Sequence, residues 1–211
     1  MSSSVQSTSV LIRGLQGGQP QAMADVMARY RQRLARMVRL RLDRRLQGRV
    51  SASAILDQAE AEIRKQFSTY LAQPAMPLYL WLRSVTGQCL ERVHQETLGT
   101  FQGDAGQEVS LYRGALPEAN SVSLAAQLLG RIVPACPEAD HAEKQVRVQE
   151  ALNSMDSLDR EILALRNFEE LNNDEAAAVL GIAPAQASTR FIRALKRLKD
   201  QLSRIPGLLN P

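Results

Sequence analysis

Residues 172–198 have the sequence NNDEAAAVLGIAPAQASTRFIRALKRL, and this stretch decides the fold class. Asn172 is followed three residues later by Glu175, a capping box that predicts the start of a short helix. Gly181 can adopt the left-handed conformation needed at a tight helix end, and Pro184 suits the first position of the next helix. The stretch therefore predicts a helix, a turn and a second helix that is basic along its open face.

The second of these helices has one apolar side, made of Ala187, Phe191, Ala194, Leu195 and Leu198. Such a helix can lie in the major groove of DNA, with polar side chains near its start at base edges and basic ones at phosphates. The alternative is an ordinary helical hairpin with a solvated basic face. Capping box, glycine and basic helix occur in the right order, which favours DNA binding. The residues predicted to contact DNA are Gln186, Ser188, Thr189, Arg190, Arg193 and Arg197.

The rest of the chain also shows helical periodicity, with apolar residues every three or four positions and no strand-like alternation. Aromatic residues make up only 4% of the chain, which argues against a β-sandwich or barrel. We expect helices from residue 20, from about 53, over 78–98, over 123–133, over 138–155 and from a cap at Ser157 or Asp159 onward. The prediction is an all-α fold.

We expect two helical domains joined by a flexible linker. Residues 99–120 contain four Gly and one Pro without a clear period, as linkers do. Limited proteolysis should therefore cut first within residues 99–122. The expected organisation is a tail at 1–19, a first domain at 20–99, a linker at 100–137, a second domain at 138–205 and a tail at 206–211.

The net charge of +4 is distributed unevenly. Residues 1–50 contain ten Arg and two Asp, residues 181–211 have a net charge of +5, and the chain between them is acidic. Two separated basic blocks indicate a polyanion that is contacted at two places. For the first block, a solvated helix face that keeps the domain soluble is the alternative.

Several classes of function are disfavoured by what the chain lacks. It has two His, no phosphate-binding Gly loop and no Ser/His/Asp set, so we expect no enzyme and no cofactor. Cys89 and Cys136 each precede a His by five residues, a spacing that points the two side chains apart on a helix, so we expect no metal. No apolar run is long enough to cross a membrane and no signal peptide is evident, so we expect a cytoplasmic protein without membrane insertion.

Residues 157–200, SLDREILALRNFEELNNDEAAAVLGIAPAQASTRFIRALKRLKD, resemble the fourth domain of bacterial sigma factors. Two further stretches are similar to the second sigma domain of the extracytoplasmic-function (ECF) class. They are RYRQRLARMVRLRLDRRLQGRV at residues 29–50 and MPLYLWLRSVTGQCL at residues 76–90. The resemblance covers the helical segments and excludes the tails and the linker.

The resemblance implies a protein that binds core RNA polymerase and promoter DNA, helps to open the duplex, and has an anti-sigma factor as a further partner. The second, basic helix of residues 172–198 would act as the recognition helix and read the minus-thirty-five element of the promoter. Trp81 could stack on an unpaired base, although a core tryptophan is the favoured interpretation from composition. The implied minus-ten residues are Trp81, Arg83, Gln88 and Arg92. The implied polymerase-docking residues are Ala54, Ile55, Asp57 and Gln58.

The chain departs from the family at a few of these positions. Ala54 occupies the place of a usual acidic residue, Asp57-Gln58 that of a Gln-Glu pair, and Ser188 that of a common Lys. Two other functions remain as alternatives: a dimeric helix-turn-helix regulator that binds DNA without polymerase, and a degenerate protein that binds polymerase or an anti-sigma factor without melting DNA.

Overall fold

The computed structural model of the chain describes residues 20–98, 117–132 and 138–208, and these form helices joined by short connections. The α-helices are α1 (Pro20–Arg41), α2 (Ala52–Ala72), α3 (Leu78–Leu98), α4 (Ser121–Ile132), α5 (Glu138–Asn153), α6 (Ser157–Leu163), α7 (Asn173–Leu180) and α8 (Pro184–Leu202). A 3-10 turn (Arg44–Leu46) follows α1, and α6 continues into a π-helical segment (Ala164–Phe168). The all-α prediction is confirmed. None of these described helices is long and apolar enough to span a membrane.

The N-terminal half of the molecule is the bundle of α1, α2 and α3. On each helix the apolar residues recur at intervals of three and four, so they form one stripe that faces the other two helices. Fully buried members of these stripes are Leu34, Val38, Ile55, Ile63, Leu82 and Leu90. The polar faces of α2 and α3 remain at the surface, which is where the resemblance expects polymerase and DNA to bind.

The segment expected to be a flexible linker contains α4. Leu124, Ala125 and Leu129 of this helix are buried, because α4 packs against both α1 and α5. Just before it, the backbone N–H of Asn120 donates to the carbonyl oxygen of Leu40 at 2.8 Å. The described part of the predicted linker is therefore built into the fold. Residues 99–116 and 133–137 lie outside the described residues, and with them most of the expected protease site.

The C-terminal half places α6 and α7 against α8, which also touches α5. Its buried apolar residues continue into those of the N-terminal half, so a single apolar core runs from Met23 to Leu208. Charged side chains are also buried where the halves meet, among them Arg41, Arg83 and Glu169. The two helical halves thus pack directly on each other, whereas the sequence predicts them as domains separated by a linker.

Candidate DNA-binding surface

The turn between α7 and α8 has the geometry that its sequence predicts. The Asn172 side chain accepts from the Glu175 N–H at 2.8 Å, and the Glu175 carboxylate accepts from the Asn172 N–H at 2.9 Å. Gly181 ends α7 in the left-handed conformation, with φ at 66°. The Ile182 N–H then donates to the Ala177 carbonyl at 3.1 Å, which closes the helix end.

The start of α8 uses a glutamine in place of a capping serine. Ala183 is in the N-cap position and has no side-chain oxygen, so it cannot accept from the first N–H groups of the helix. The Gln186 side-chain oxygen instead accepts from the Ala183 N–H at 3.2 Å. The Asn173 side chain donates to the Pro184 carbonyl at 2.8 Å, which ties the first turn of α8 to α7. Gln186 therefore both orders the helix start and presents its amide group at the surface.

Five of the six predicted DNA-contacting residues line one open side of α8, and Ser188, two residues from both Gln186 and Arg190, lies apart from them. Gln186, Ser188, Thr189, Arg193 and Arg197 are exposed, and Arg190 is half-buried. On the opposite side, the predicted apolar face is buried at Ala187, Ala194 and Leu198 and half-buried at Phe191. Leu195 differs from the prediction, because 38% of its surface is exposed. Ile192 beside it is 63% exposed, so the outer side of α8 combines basic and apolar side chains.

Two aspartates of α6 face this surface, and sequence reasoning did not include them in the site. Asp159 is buried and accepts from Arg190 at 2.8 Å with one carboxylate oxygen and from Arg197 at 2.7 Å with the other. Asp156 accepts from Arg190 at 2.9 Å. It also caps α6, where the sequence suggested Ser157 or Asp159, by accepting from the Leu158 N–H at 3.0 Å.

These contacts fix the direction of both arginines. Arg190 and Arg197 are two helical turns apart, on the same side of α8, and both lean towards the start of α6. The pKa of Asp156 is lowered, because backbone hydrogen bonds and Arg190 outweigh an opposing effect of burial. Between the helices lies an open groove of about 760 Å³ whose lining includes Gln186, Thr189 and Arg193.

The four implied minus-ten residues do not share one face of α3. Trp81, Gln88 and Arg92 lie seven and four residues apart on one side of the helix, and Gln88 and Arg92 are exposed. The Trp81 ring stacks on Tyr70 with 4.5 Å between centroids, and the residue is half-buried. Arg83 points into the protein and is 2% exposed, so it cannot touch DNA in this arrangement.

The implied docking residues on α2 also divide into two groups. Ala54, Asp57 and Gln58 are exposed on one side of the helix, three and four residues apart. Asp57 accepts from Arg31 of α1 at 2.6 Å. Ile55 is fully buried in the core, so it can support such a surface only from beneath.

A family model matches part of the C-terminal half of the chain. Residues 145–198 match the family model for Sigma-70, region 4, which confirms the resemblance of the C-terminal helices to the fourth sigma domain. No sequence among the curated proteins matches the chain significantly.

Two solved structures resemble the chain as a whole. One is CnrH in complex with the cytosolic domain of CnrY, with a TM-score of 0.52 and 18% identity over 92% of this chain and 96% of that one. The other is the sigma factor RpoE in complex with the anti-sigma factor NepR from Bartonella quintana. It has a TM-score of 0.42 and 17% identity over 85% of this chain and 98% of that one. The first of these likenesses extends the shared helical fold beyond the matched C-terminal region.

Proposed function

We propose that this chain, which carries a Sigma-70 region 4 at residues 145–198, works as an ECF sigma factor. It would bind core RNA polymerase in the cytoplasm, direct it to promoters and start transcription there. The family match and the helical fold shared with CnrH support this function. The protein would carry out no chemical reaction of its own, since sigma factors are generally non-enzymatic.

One observation carries the proposal: the matched residues coincide with an open helix-turn-helix. The turn is closed by Gly181, α7 starts with a capping box, and Gln186 accepts from the Ala183 N–H at the start of α8, so the position of α8 on the domain is defined. Its polar face is unobstructed, with Ser188, Thr189 and Arg193 at the surface. A helix held this way fits the major groove, and promoter DNA is the expected partner.

Within this surface, the residues near the start of α8 would read bases. Gln186 uses its side-chain oxygen at the helix start, which leaves its amide N–H groups to donate to an acceptor on a base edge. Thr189 donates to the Ala185 carbonyl at 2.9 Å and can still accept. The arginines further along, Arg193 and Arg197, would contact the phosphate backbone.

Polymerase docking is proposed at the exposed side of α2, formed by Ala54, Asp57 and Gln58. Asp57 is the acidic group of this surface, and its ion pair with Arg31 is exposed and therefore weak enough to be exchanged for a polymerase cation. Trp81 with Gln88 and Arg92 would contact the minus-ten element. A regulatory partner that covers the factor, as CnrY binds CnrH, is also part of the proposal.

Co-elution with core RNA polymerase, followed by transcription from promoters of the native host, tests the proposal. We expect the chain to form a complex with core polymerase and to bind promoter DNA far better within that complex than alone. Arg193→Ala should weaken promoter binding by the holoenzyme, whereas Arg147→Ala on α5 should leave it unchanged. A chain that ignores polymerase and binds palindromic DNA as a dimer would be a helix-turn-helix regulator, and the proposal would be wrong.

A further inference from the structure

A buried cluster of charged groups joins the two halves of the molecule. Arg41 of α1 donates to Glu169 at 2.6 Å and 3.0 Å, and it also pairs with Glu161 of α6. Arg83 of α3 donates to Glu169 at 2.7 Å and 3.3 Å. Glu169 is fully buried, and the other three are at most 5% exposed. Two arginines from the N-terminal half and two glutamates from the C-terminal half therefore form a neutral cluster away from water.

The segment that precedes α4 adds two hydrogen bonds to the cluster. Arg41 donates to the Pro117 carbonyl at 2.7 Å, and Glu161 accepts from the Ala119 N–H at 3.3 Å. These contacts matter because a buried charge is strongly unfavourable unless it is paired and hydrogen-bonded. Removal of one carboxylate would leave buried cations, and the most direct relief is for the halves to separate and let water reach them.

Local backbone geometry brings Glu169 into this position. The π-helical segment ends with the Glu169 N–H donating to the Ala164 carbonyl at 3.0 Å, five residues back. Glu170 follows with φ at 58°, a left-handed conformation that is unfavourable for a residue with a side chain. Its carbonyl accepts from Arg33 at 2.9 Å, and its carboxylate pairs with Arg36. Both unusual features thus occur at the contact with the N-terminal half.

We infer that this cluster (Arg41, Arg83, Glu161 and Glu169) is an autoinhibitory latch, which holds the halves closed and keeps two arginines away from DNA. The inference rests on the proposed function, because it concerns regulation of the same DNA-binding protein. Arg83 lies two residues from Trp81, within the segment expected at the minus-ten element, yet its guanidinium is occupied by Glu169. Separation of the halves would release Arg41 and Arg83, both suited to phosphate oxygens.

Glu169→Gln tests the latch in the full-length chain. It removes the shared carboxylate charge and keeps the side-chain size. Small-angle scattering should show a larger radius of gyration than for wild type. Fluorescence energy transfer between labels at Ser53→Cys and Asp200→Cys, with Cys136 replaced by Ser, should change in parallel. Glu143→Gln, which removes a carboxylate from an exposed ion pair on α5, is the matched control and should stay compact.

Binding of a fluorescent forked DNA duplex measures the consequence. With two more arginines available, the slope of log affinity against log salt should steepen by about 1–2 units in Glu169→Gln. A variant that remains as compact as wild type, or that opens with no gain in DNA affinity, would overturn the inference. Neither readout needs polymerase, so a failure of the latch and a failure to bind core polymerase are separate results.

A second variant keeps the test decisive if Glu169→Gln does not fold. Glu170→Gln keeps the side-chain size and the backbone conformation, and it removes the charge that pairs with Arg36 at the same contact without changing the buried cluster. It should open the halves in the same direction, to a smaller extent, with helical content unchanged by circular dichroism. A fully compact Glu170→Gln with wild-type DNA affinity would count against the latch.

Discussion

Along α1, the guanidinium groups of Arg33, Arg36 and Arg41 are directed at carboxylates and carbonyls of the C-terminal half. On α8, Arg197 keeps 62% of its side chain exposed although Asp159 accepts from it, and among the described residues no carboxylate pairs with Arg193. The two basic blocks look alike in composition. Among the described residues, five arginines of the first block pair with carboxylates of the chain, namely Arg31, Arg33, Arg36, Arg41 and Arg45. In the second block only Arg190 and Arg197 do so, and the other described cations face solvent. Net charge along a sequence therefore indicates a polyanionic partner only after the internal pairs have been subtracted.

The largest effect is expected when a carboxylate is removed from a buried ion pair and, for comparison, from an exposed one. Glu169→Ala leaves Arg41 and Arg83 buried with one carboxylate between them, and we expect the free energy of unfolding to fall by about 3–5 kcal/mol. Glu143→Ala removes an exposed partner of Arg147 and should cost less than about 1 kcal/mol. Urea denaturation followed by circular dichroism gives both values. Equal losses for the two variants would contradict the expected difference between a buried and an exposed ion pair.

On the exposed block, Gln186→Ala should have the next largest effect. Loss of a direct base contact should cost about 1–3 kcal/mol at one promoter position and relax the preference there. The substitution also removes the acceptor for the Ala183 N–H, so the start of α8 should become less ordered. Holoenzyme binding to minus-thirty-five variants measures the first effect and hydrogen exchange of the first turn measures the second. Gln186→Glu keeps the acceptor for the Ala183 N–H and so separates the two effects. In this variant the base preference should change, while hydrogen exchange of the first turn should not.

Arg193→Ala should weaken DNA binding without changing its sequence preference. A side chain that contacts phosphate contributes equally to all sequences, so we expect the salt slope to fall by about one unit. Arg190 offers a comparison within the same helix, because Asp156 and Asp159 already accept from it. Arg190→Ala should reduce the salt slope less than Arg193→Ala does. The reverse order would show that the aspartates release Arg190 when DNA binds.

A smaller gain is expected at the docking surface on α2. Ala54 is exposed and occupies the place of a usual acidic residue, so Ala54→Asp should tighten binding to core polymerase by about 0.2–1 kcal/mol. A titration of labelled core polymerase measures this gain. Ser53→Asp, one position away on the same helix, is the control for added negative charge. Unchanged or weaker affinity of Ala54→Asp would contradict the placement of the docking surface.

The smallest expected effect is that of pH on the closed arrangement. Burial alone would raise the pKa of Glu169, but Arg41 and Arg83 outweigh it and lower the pKa to about 2. A lowered pKa means that its contribution to stability is complete above the unfolded value of 4.5 and is lost as pH falls from there towards 2. The radius of gyration should therefore stay constant from about pH 8 to pH 5. Opening within that range would mean that Glu169 takes up a proton far above this pKa.

The sequence predicts the helix-turn-helix well because its signals are local. The capping box at Asn172, the left-handed Gly181 and the proline at the start of α8 each act within one helical turn, and the structure has them as predicted. The predicted caps of α6, Ser157 or Asp159, lie one and three residues beyond the observed cap Asp156, because all three side chains are able to cap a helix. Periodicity predicts Leu195 in the core, but it lies at the edge of the apolar face and is partly exposed.

The contact between the halves could not be predicted in the same way. Arg83 and Glu169 are 86 residues apart, and neither has a neighbour in sequence that reveals its partner. The sequence does contain one indication that Arg83 is buried, because it lies between Leu82 and Val85 on the apolar side of α3. The roles of Asp156 and Asp159 beside the DNA-binding surface are likewise tertiary, since they depend on how α6 crosses α8.

The π-helical segment has a consequence for how such a protein can change over generations. It amounts to one extra residue within a helix, and deletion of that residue would restore regular α-helix. Every side chain beyond it would then rotate by about 100° about the helix axis, and Glu169 would no longer meet Arg41 and Arg83. Loss of a single codon at this point would therefore remove the buried ion pairs of Glu169 between the halves, with the composition of both halves left almost intact.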